Sequence, residues 1–136
     1  MDARTVGYWI STGLFCLALT GSGLGHLSGA MEEGMAHLGY APYVSTILGT
    51  WKVLGVIALL APGLPRLKEW AYAGFLFNLT GAAWSHLASG DGAGGAVAPA
   101  VLLGIMAASW WLRPPSRVLG QLPGLAAAPS PATSRG

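Results

Sequence analysis

Apolar residues gather along this chain into four blocks, with polar and helix-breaking residues between them. The first runs from Val6 to Leu27 (6–27) and holds no acid or base before His26. The second, Tyr43 to Ala61 (43–61), contains a single charge, Lys52. The third spans Trp70 to Ala88 (70–88) and the fourth Ala96 to Leu112 (96–112). A helix needs about 20 apolar residues to cross a bilayer, and each block approaches that length. An open sheet would leave unpaired backbone in lipid, and four strands are too few to close a barrel. The pattern therefore predicts an all-α fold, a four-helix transmembrane bundle.

The connections agree. MEEGMAHLGYAP (Met31 to Pro42) puts two acids, two glycines and a proline between the first and second spans. PGLPRLKE (Pro62 to Glu69) is a tight turn whose prolines stop the second helix. SGDGAGG (Ser89 to Gly95) reads as a glycine-rich loop before the fourth. Residues 1–112 are thus expected to form one transmembrane domain. Residues 113–136 are rich in Pro, Ala and Ser, lack a periodic apolar face, and read as a disordered cytoplasmic tail.

Composition turns length into environment. The chain is 53% hydrophobic and only 9% charged, against roughly 25% charged in soluble domains, so a water-facing surface cannot be covered. The lipid bilayer is the expected partner. A net charge of +2 and the lack of a basic stretch interleaved with aromatics argue against nucleic acid. Arg4, Arg66, Lys68, Arg113 and Arg117 all fall on one side of a four-span chain, whereas the other carries Glu32, Glu33 and Asp91. By the positive-inside rule both termini are cytoplasmic. Ser28-Gly29-Ala30 has the small residues of a signal-peptide cleavage site. The apolar run before it, however, exceeds the roughly 7–15 residues of a signal core, so the first block is read as a retained span.

In this arrangement the first and third spans run outward, and both end in Gly-x-x-x-x-His-Leu (Gly21 to Leu27, Gly81 to Leu87). The second and fourth share a Leu-Gly step (Leu48-Gly49, Leu103-Gly104), which suggests two parallel-related helical hairpins. Gly13, Gly21 and Gly25, and Gly74, Asn78, Gly81 and Ser85, recur at helical spacing, as close helix packing in lipid requires. The same glycine-rich faces could dock a protein partner or a second copy.

Lys52 is the residue most at odds with its surroundings, because a charge in mid-span costs a few kcal/mol unless it snorkels, pairs or meets water. The first, third and fourth spans hold no acid, so a partner must come from a loop. The pattern predicts a polar pocket in the outer half of the bundle from His26, Lys52, Asn78, Ser85 and His86. Glu32, Glu33 or Asp91 is the candidate carboxylate that closes it. The competing reading has Lys52 snorkelling and the histidines wet at the interface. The histidines, His37 included, lack a close metal-ligand spacing, and no metal is expected. Cys16, the sole cysteine, lies within an apolar run and reads as core. No hydrolase elbow, phosphate loop or CxxC pair defines an active site.

YWISTGL at the start of the first span, its GSGLGHL exit, HLGYAPY leading into ILGTWKVLGVIALLAPG, PRLKEWAYAGFLFNLTGAAWSHLASGD, and the closing WWLRPP together resemble the DoxX-like family of small bacterial four-helix membrane proteins. The likeness covers Tyr8 to Pro115. It implies a multi-pass protein of the bacterial cytoplasmic (inner) membrane, and it supplies no catalytic residues. Many members carry lysine where His26 stands. The wider group includes subunits of membrane oxidoreductases such as thiosulfate:quinone oxidoreductase. The reading with fewest assumptions is a small subunit or assembly factor of a membrane complex. The alternative is a quinone-reactive or sulfur-species oxidoreductase component whose Lys52 pocket holds the ligand. A small-molecule carrier comes third, since four short helices enclose little volume.

Overall fold

The structure, a computed structural model, describes residues 1–119. It contains five α-helices: α1 (Ala3–Leu27), α2 (Glu32–His37), α3 (Pro42–Leu60), α4 (Pro65–Ala88) and α5 (Gly92–Trp111). A 3-10 turn, Pro115–Arg117, follows, and no strand occurs among the described residues.

Local chemistry sets the boundaries. Asp2 caps α1 by accepting a hydrogen bond from the Thr5 amide at 2.8 Å. Pro42 and Pro65 open α3 and α4 at the first helical position, where no amide hydrogen is needed. Between those helices Gly63 and Leu64 both take positive φ, and this short left-handed step reverses the chain. The connections depart from expectation. The connection after α1 contains a helix of its own, α2. The glycines of the predicted loop at 92–95 are already helical, so α5 begins four residues early. Tertiary packing explains the second. A side chain at Gly95 would sit 2.8 Å from Asp91 Cβ and 3.0 Å from His86 Cβ, so only glycine lets the start of α5 lie against the end of α4.

Each of the four long helices packs on two others: α1 on α3 and α5, and α4 on α3 and α5, while α2 rests on α3. Phe15, Leu19, Leu59, Phe75, Leu79 and Met106 form the centre, with Phe15 and Phe75 edge to face at 5.2 Å. The seam between α1 and α3 is the tightest. A Cβ on Gly49 would lie 2.8 Å from the Gly23 carbonyl oxygen and 3.0 Å from His26 Cβ.

Polarity is distributed the opposite way from that of a water-soluble protein. Leu17 and Phe77 are 73% and 74% exposed, whereas Thr12, Ser45, Ser109, Lys68 and Arg113 are buried. Thr12, Ser109 and Tyr72 form a buried hydroxyl chain with links of 2.7 Å each. An apolar exterior over satisfied polar groups fits a lipid solvent. α1, α3 and α5 are long and apolar enough to cross a membrane. α4 has 24 residues, about 36 Å at 1.5 Å per residue, and its first turns carry Arg66, Lys68 and Glu69.

These three residues belong to α4 rather than to a loop, and the segment following Leu112 is placed as far as residue 119. Residues 120–136 of the expected tail lie outside the described residues. Lys68, only 1% exposed, donates to the carbonyls of Ala58 (2.9 Å) and Ala61 at the end of α3. Arg117 donates to the Leu59 carbonyl at 3.0 Å and lies 4.7 Å over the Trp9 ring. Arg4 reaches the Trp111 carbonyl at 3.1 Å and Arg113 that of Trp110 at 2.9 Å. Cations thus close the carboxyl ends of both α3 and α5, where the helix dipole is negative.

The glycines divide into two groups that substitution should separate. Gly49→Ala is expected to destabilise the detergent-solubilised protein by about 1–3 kcal/mol, because backbone stands where the methyl must go. Gly74 has open space around its Cβ, so Gly74→Ala should be neutral or raise stability by up to about 1 kcal/mol through helix propensity. Unfolding midpoints in a denaturing-detergent titration measure both; equal losses would contradict the packing described.

Candidate functional site

His26 lies in the last turn of α1, buried, with its Nδ1 2.8 Å from Ser45 Oγ on α3. Lys52 stands midway along α3, next to the Gly23–Gly49 seam. Its ammonium turns toward α1 and donates to Ser22 Oγ at 2.9 Å. α4 supplies the rest. Asn78, Ser85 and His86 recur at roughly helical intervals, so they share one side of the helix. Ser85 donates to the Gly81 carbonyl at 2.8 Å. The 2.6 Å bond between Tyr40 and Ser85 is therefore given by the Tyr40 hydroxyl.

His26, Lys52, Asn78, Ser85 and His86 all line one cavity of about 440 Å³, and Met31, Met35 and Leu38 from the α2 region cover it. Three helices thus bring the five predicted residues together. Lys52 and Asn78 also line a second, larger space of about 820 Å³. This is a groove between α3 and α4 with apolar walls that include Trp51, Ile57, Trp70 and Phe77. The two spaces meet at Leu48, Lys52, Phe77 and Asn78, which line both.

The three candidate carboxylates separate. Glu32 and Glu33 occupy the first turn of α2, exposed and outside the cavity lining. Asp91 does not line the cavity either, but it holds the cover. One oxygen lies 2.6 Å from His37 Nε2 on α2 and the other 2.7 Å from His86 Nδ1 on α4. This clasp and the Tyr40–Ser85 bond tie the α2 region to α4. The hydrogen bonds from His86 and then His37 hold the Asp91 carboxyl below the usual carboxylate range. No set of three or more His, Cys, Asp or Glu side chains is arranged to hold a metal ion among the described residues.

A second polar cluster, at the arginine end, escaped the sequence reading. Arg113 is buried against Glu69 and sits 5.1 Å over the Tyr72 ring and 5.0 Å over Trp110. Glu69 also accepts from Trp110 Nε1 at 3.2 Å. A signal existed in the placement of Glu69 and Arg113 at the same end of neighbouring spans. Starting the third span at Trp70 hid it by leaving Glu69 in a loop. Glu69 lies at the opposite end from the cavity and provides no counter-charge for Lys52.

The family model described as the DoxX-like family matches residues 10–109. No curated protein and no solved structure matches the chain.

The clasp has a pH signature. Because the folded pKa of Asp91 is depressed, its contribution is complete above the ordinary carboxylate pKa and is lost as pH falls through the lower folded value. Protection of the α2 amides from hydrogen exchange should therefore persist from pH 8 down to about pH 5. Asp91→Asn should speed exchange at Met35–Tyr40 while leaving the middle of α3 unchanged. Identical α2 exchange in variant and wild type would show that the clasp does not hold the cover.

Proposed function

The chain belongs to the DoxX-like family, and from that premise we propose that it is a four-span protein of the bacterial inner membrane that binds the polar head of a lipid-soluble small molecule. Both termini face the cytoplasm in this reading, α4 is the fourth crossing helix, and α1–α3 and α4–α5 are two parallel-related hairpins. The observation that carries the reading is the convergence of His26, Lys52, Asn78, Ser85 and His86 on one cavity. Dispersed histidines and a snorkelling lysine would not leave the lysine turned inward to Ser22. Histidine can exchange protons near neutral pH, and an intramembrane lysine with a ligand-sized space beside it suits a headgroup that accepts hydrogen bonds. A quinone meets that description, and the cavity by itself suits a small sulfur species, in either case in a component of a membrane oxidoreductase.

A second reading, a small subunit or assembly factor, draws on other residues. Gly13, Gly21, Gly74 and Gly104 have nothing within 4 Å of a built Cβ. Small residues not consumed by internal packing are the kind of surface on which a further membrane helix, from a partner or a second copy, packs closely. The two readings are compatible, because Gly13, Gly21 and Gly104 line neither the cavity nor the groove.

Purification in a mild detergent, followed by mass spectrometry of co-purifying small molecules, tests the first reading. A lipid-soluble compound should be recovered with the wild type and be lost, at least tenfold, from Lys52→Met with unchanged elution and helicity. An empty wild-type preparation carrying one stoichiometric protein partner, retained by Lys52→Met, would favour the second. Reporter fusions to either terminus should report the cytoplasm.

A further inference from the structure

The junction between cavity and groove carries a charge that no described residue balances. All five acidic side chains, Asp2, Glu32, Glu33, Glu69 and Asp91, fall within the described residues. Glu69 pairs with Arg113, and Asp91 with His37 and His86. Among the described residues no carboxylate lies within ion-pair distance of Lys52, whose hydrogen bond goes to the neutral Ser22 hydroxyl. An ammonium withdrawn from water is stabilised best by a counter-charge with hydrogen bonds around it. Asn78, beside it on the same lining, offers both a donor and an acceptor.

The groove that leaves this junction is built for something else. Its walls run from Lys52 to Ala61 along α3 and from Asn78 back to Leu67 along α4, and apart from that first pair they are almost wholly apolar. The nine-residue interval on α3 corresponds to about 14 Å, roughly half the hydrocarbon thickness of a bilayer. Gly74 sets back the α4 wall, since nothing stands within 4 Å of its Cβ position. Trp51, Trp70 and Phe77, all strongly exposed, frame the side that opens outward from the bundle.

We propose that the ligand is a single-chain amphiphile with a carboxylate head, seated with the head between Lys52 and Asn78 and the alkyl chain along the α3–α4 groove. This rests on the reading of the cavity as a ligand site. The unpaired lysine selects the charge of the head, and the groove selects the tail. Entry is sideways from the lipid, between α3 and α4, and the α2 cover need not open.

The test uses the full chain in phosphatidylcholine nanodiscs with palmitate carrying a photoreactive diazirine near its methyl end. Crosslinks are expected at the far end of the groove, between Ile57 and Ala61 and, on α4, between Leu67 and Ala71. Unlabelled palmitate should compete at least tenfold better than hexadecanol, which has the same tail without the charge. Lys52→Met should reduce labelling at least tenfold and Lys52→Arg should largely restore it. Gly74→Leu puts a side chain into the groove from a position with nothing within 4 Å of its Cβ and should reduce labelling similarly. Helicity and elution volume identify any variant that fails to fold. Crosslinks spread over the outer faces of α1 and α5, or labelling indifferent to Lys52 and Gly74, would overturn the proposal. A decyl-substituted benzoquinone is the second probe. If it binds in a Lys52-dependent way while palmitate does not, the carboxylate is wrong and the cavity reading survives. If neither probe responds to Lys52, both fall.

Discussion

A helix that ends near lipid leaves its last carbonyls without partners, and water is not at hand to take them. Most of this architecture follows from how that requirement is met at the arginine end. α3 finishes in a tight turn, where Lys68 and Arg117 take the carbonyls of Ala58, Leu59 and Ala61. α5 finishes in a pair of tryptophans, whose carbonyls go to Arg113 and Arg4. Four of the five cations that a topology argument counts as side markers, Arg4, Lys68, Arg113 and Arg117, are also the caps of the two helices that end there. One set of residues performs both tasks, and this concentrates the few charges of an apolar chain at one end.

At the histidine end hydroxyl groups take the place of the cations: Ser45 donates to the His26 carbonyl at 3.3 Å, and a cavity lies beside it. Ser45, Ser22, Tyr40 and Ser85 engage His26, Lys52 and one another across three helices. The tight approach of α1 to α3 at Gly23 and Gly49 leaves no room for a further side chain on that seam. The side between α3 and α4 is correspondingly less filled, and the groove lies there. The cavity and the apolar groove are two faces of one packing asymmetry, joined where Leu48, Lys52, Phe77 and Asn78 belong to both.

How much of this could be read beforehand depends on the range of the interaction. The long helices were legible because lipid imposes length and apolarity on contiguous residues. The pocket residues were legible because a lysine in mid-span and two histidines at like ends are locally anomalous. What stayed hidden was tertiary. The glycines at 92–95 look like a loop until His86 and Asp91 are seen to exclude any side chain at Gly95. Glu69 looks like a turn residue until Arg113 is seen against it, and Arg113 and Arg117 look like the start of a tail until their carbonyl partners are known. The α2 helix has only six residues, too few for periodicity to announce, and it is tied down by His37 and Asp91 from distant parts of the chain.

The grip of Arg117 on Leu59 has a mechanical side. The strand of chain that leaves α5 is fastened to the last turn of α3, a helix it does not follow in sequence. Arg117 also meets Tyr8 and Trp9 of α1, so tension on the residues that follow it is borne first by α1 and by α3, one wall of the groove, and only afterwards by α5. Whatever pulls on that extension pulls on the wall.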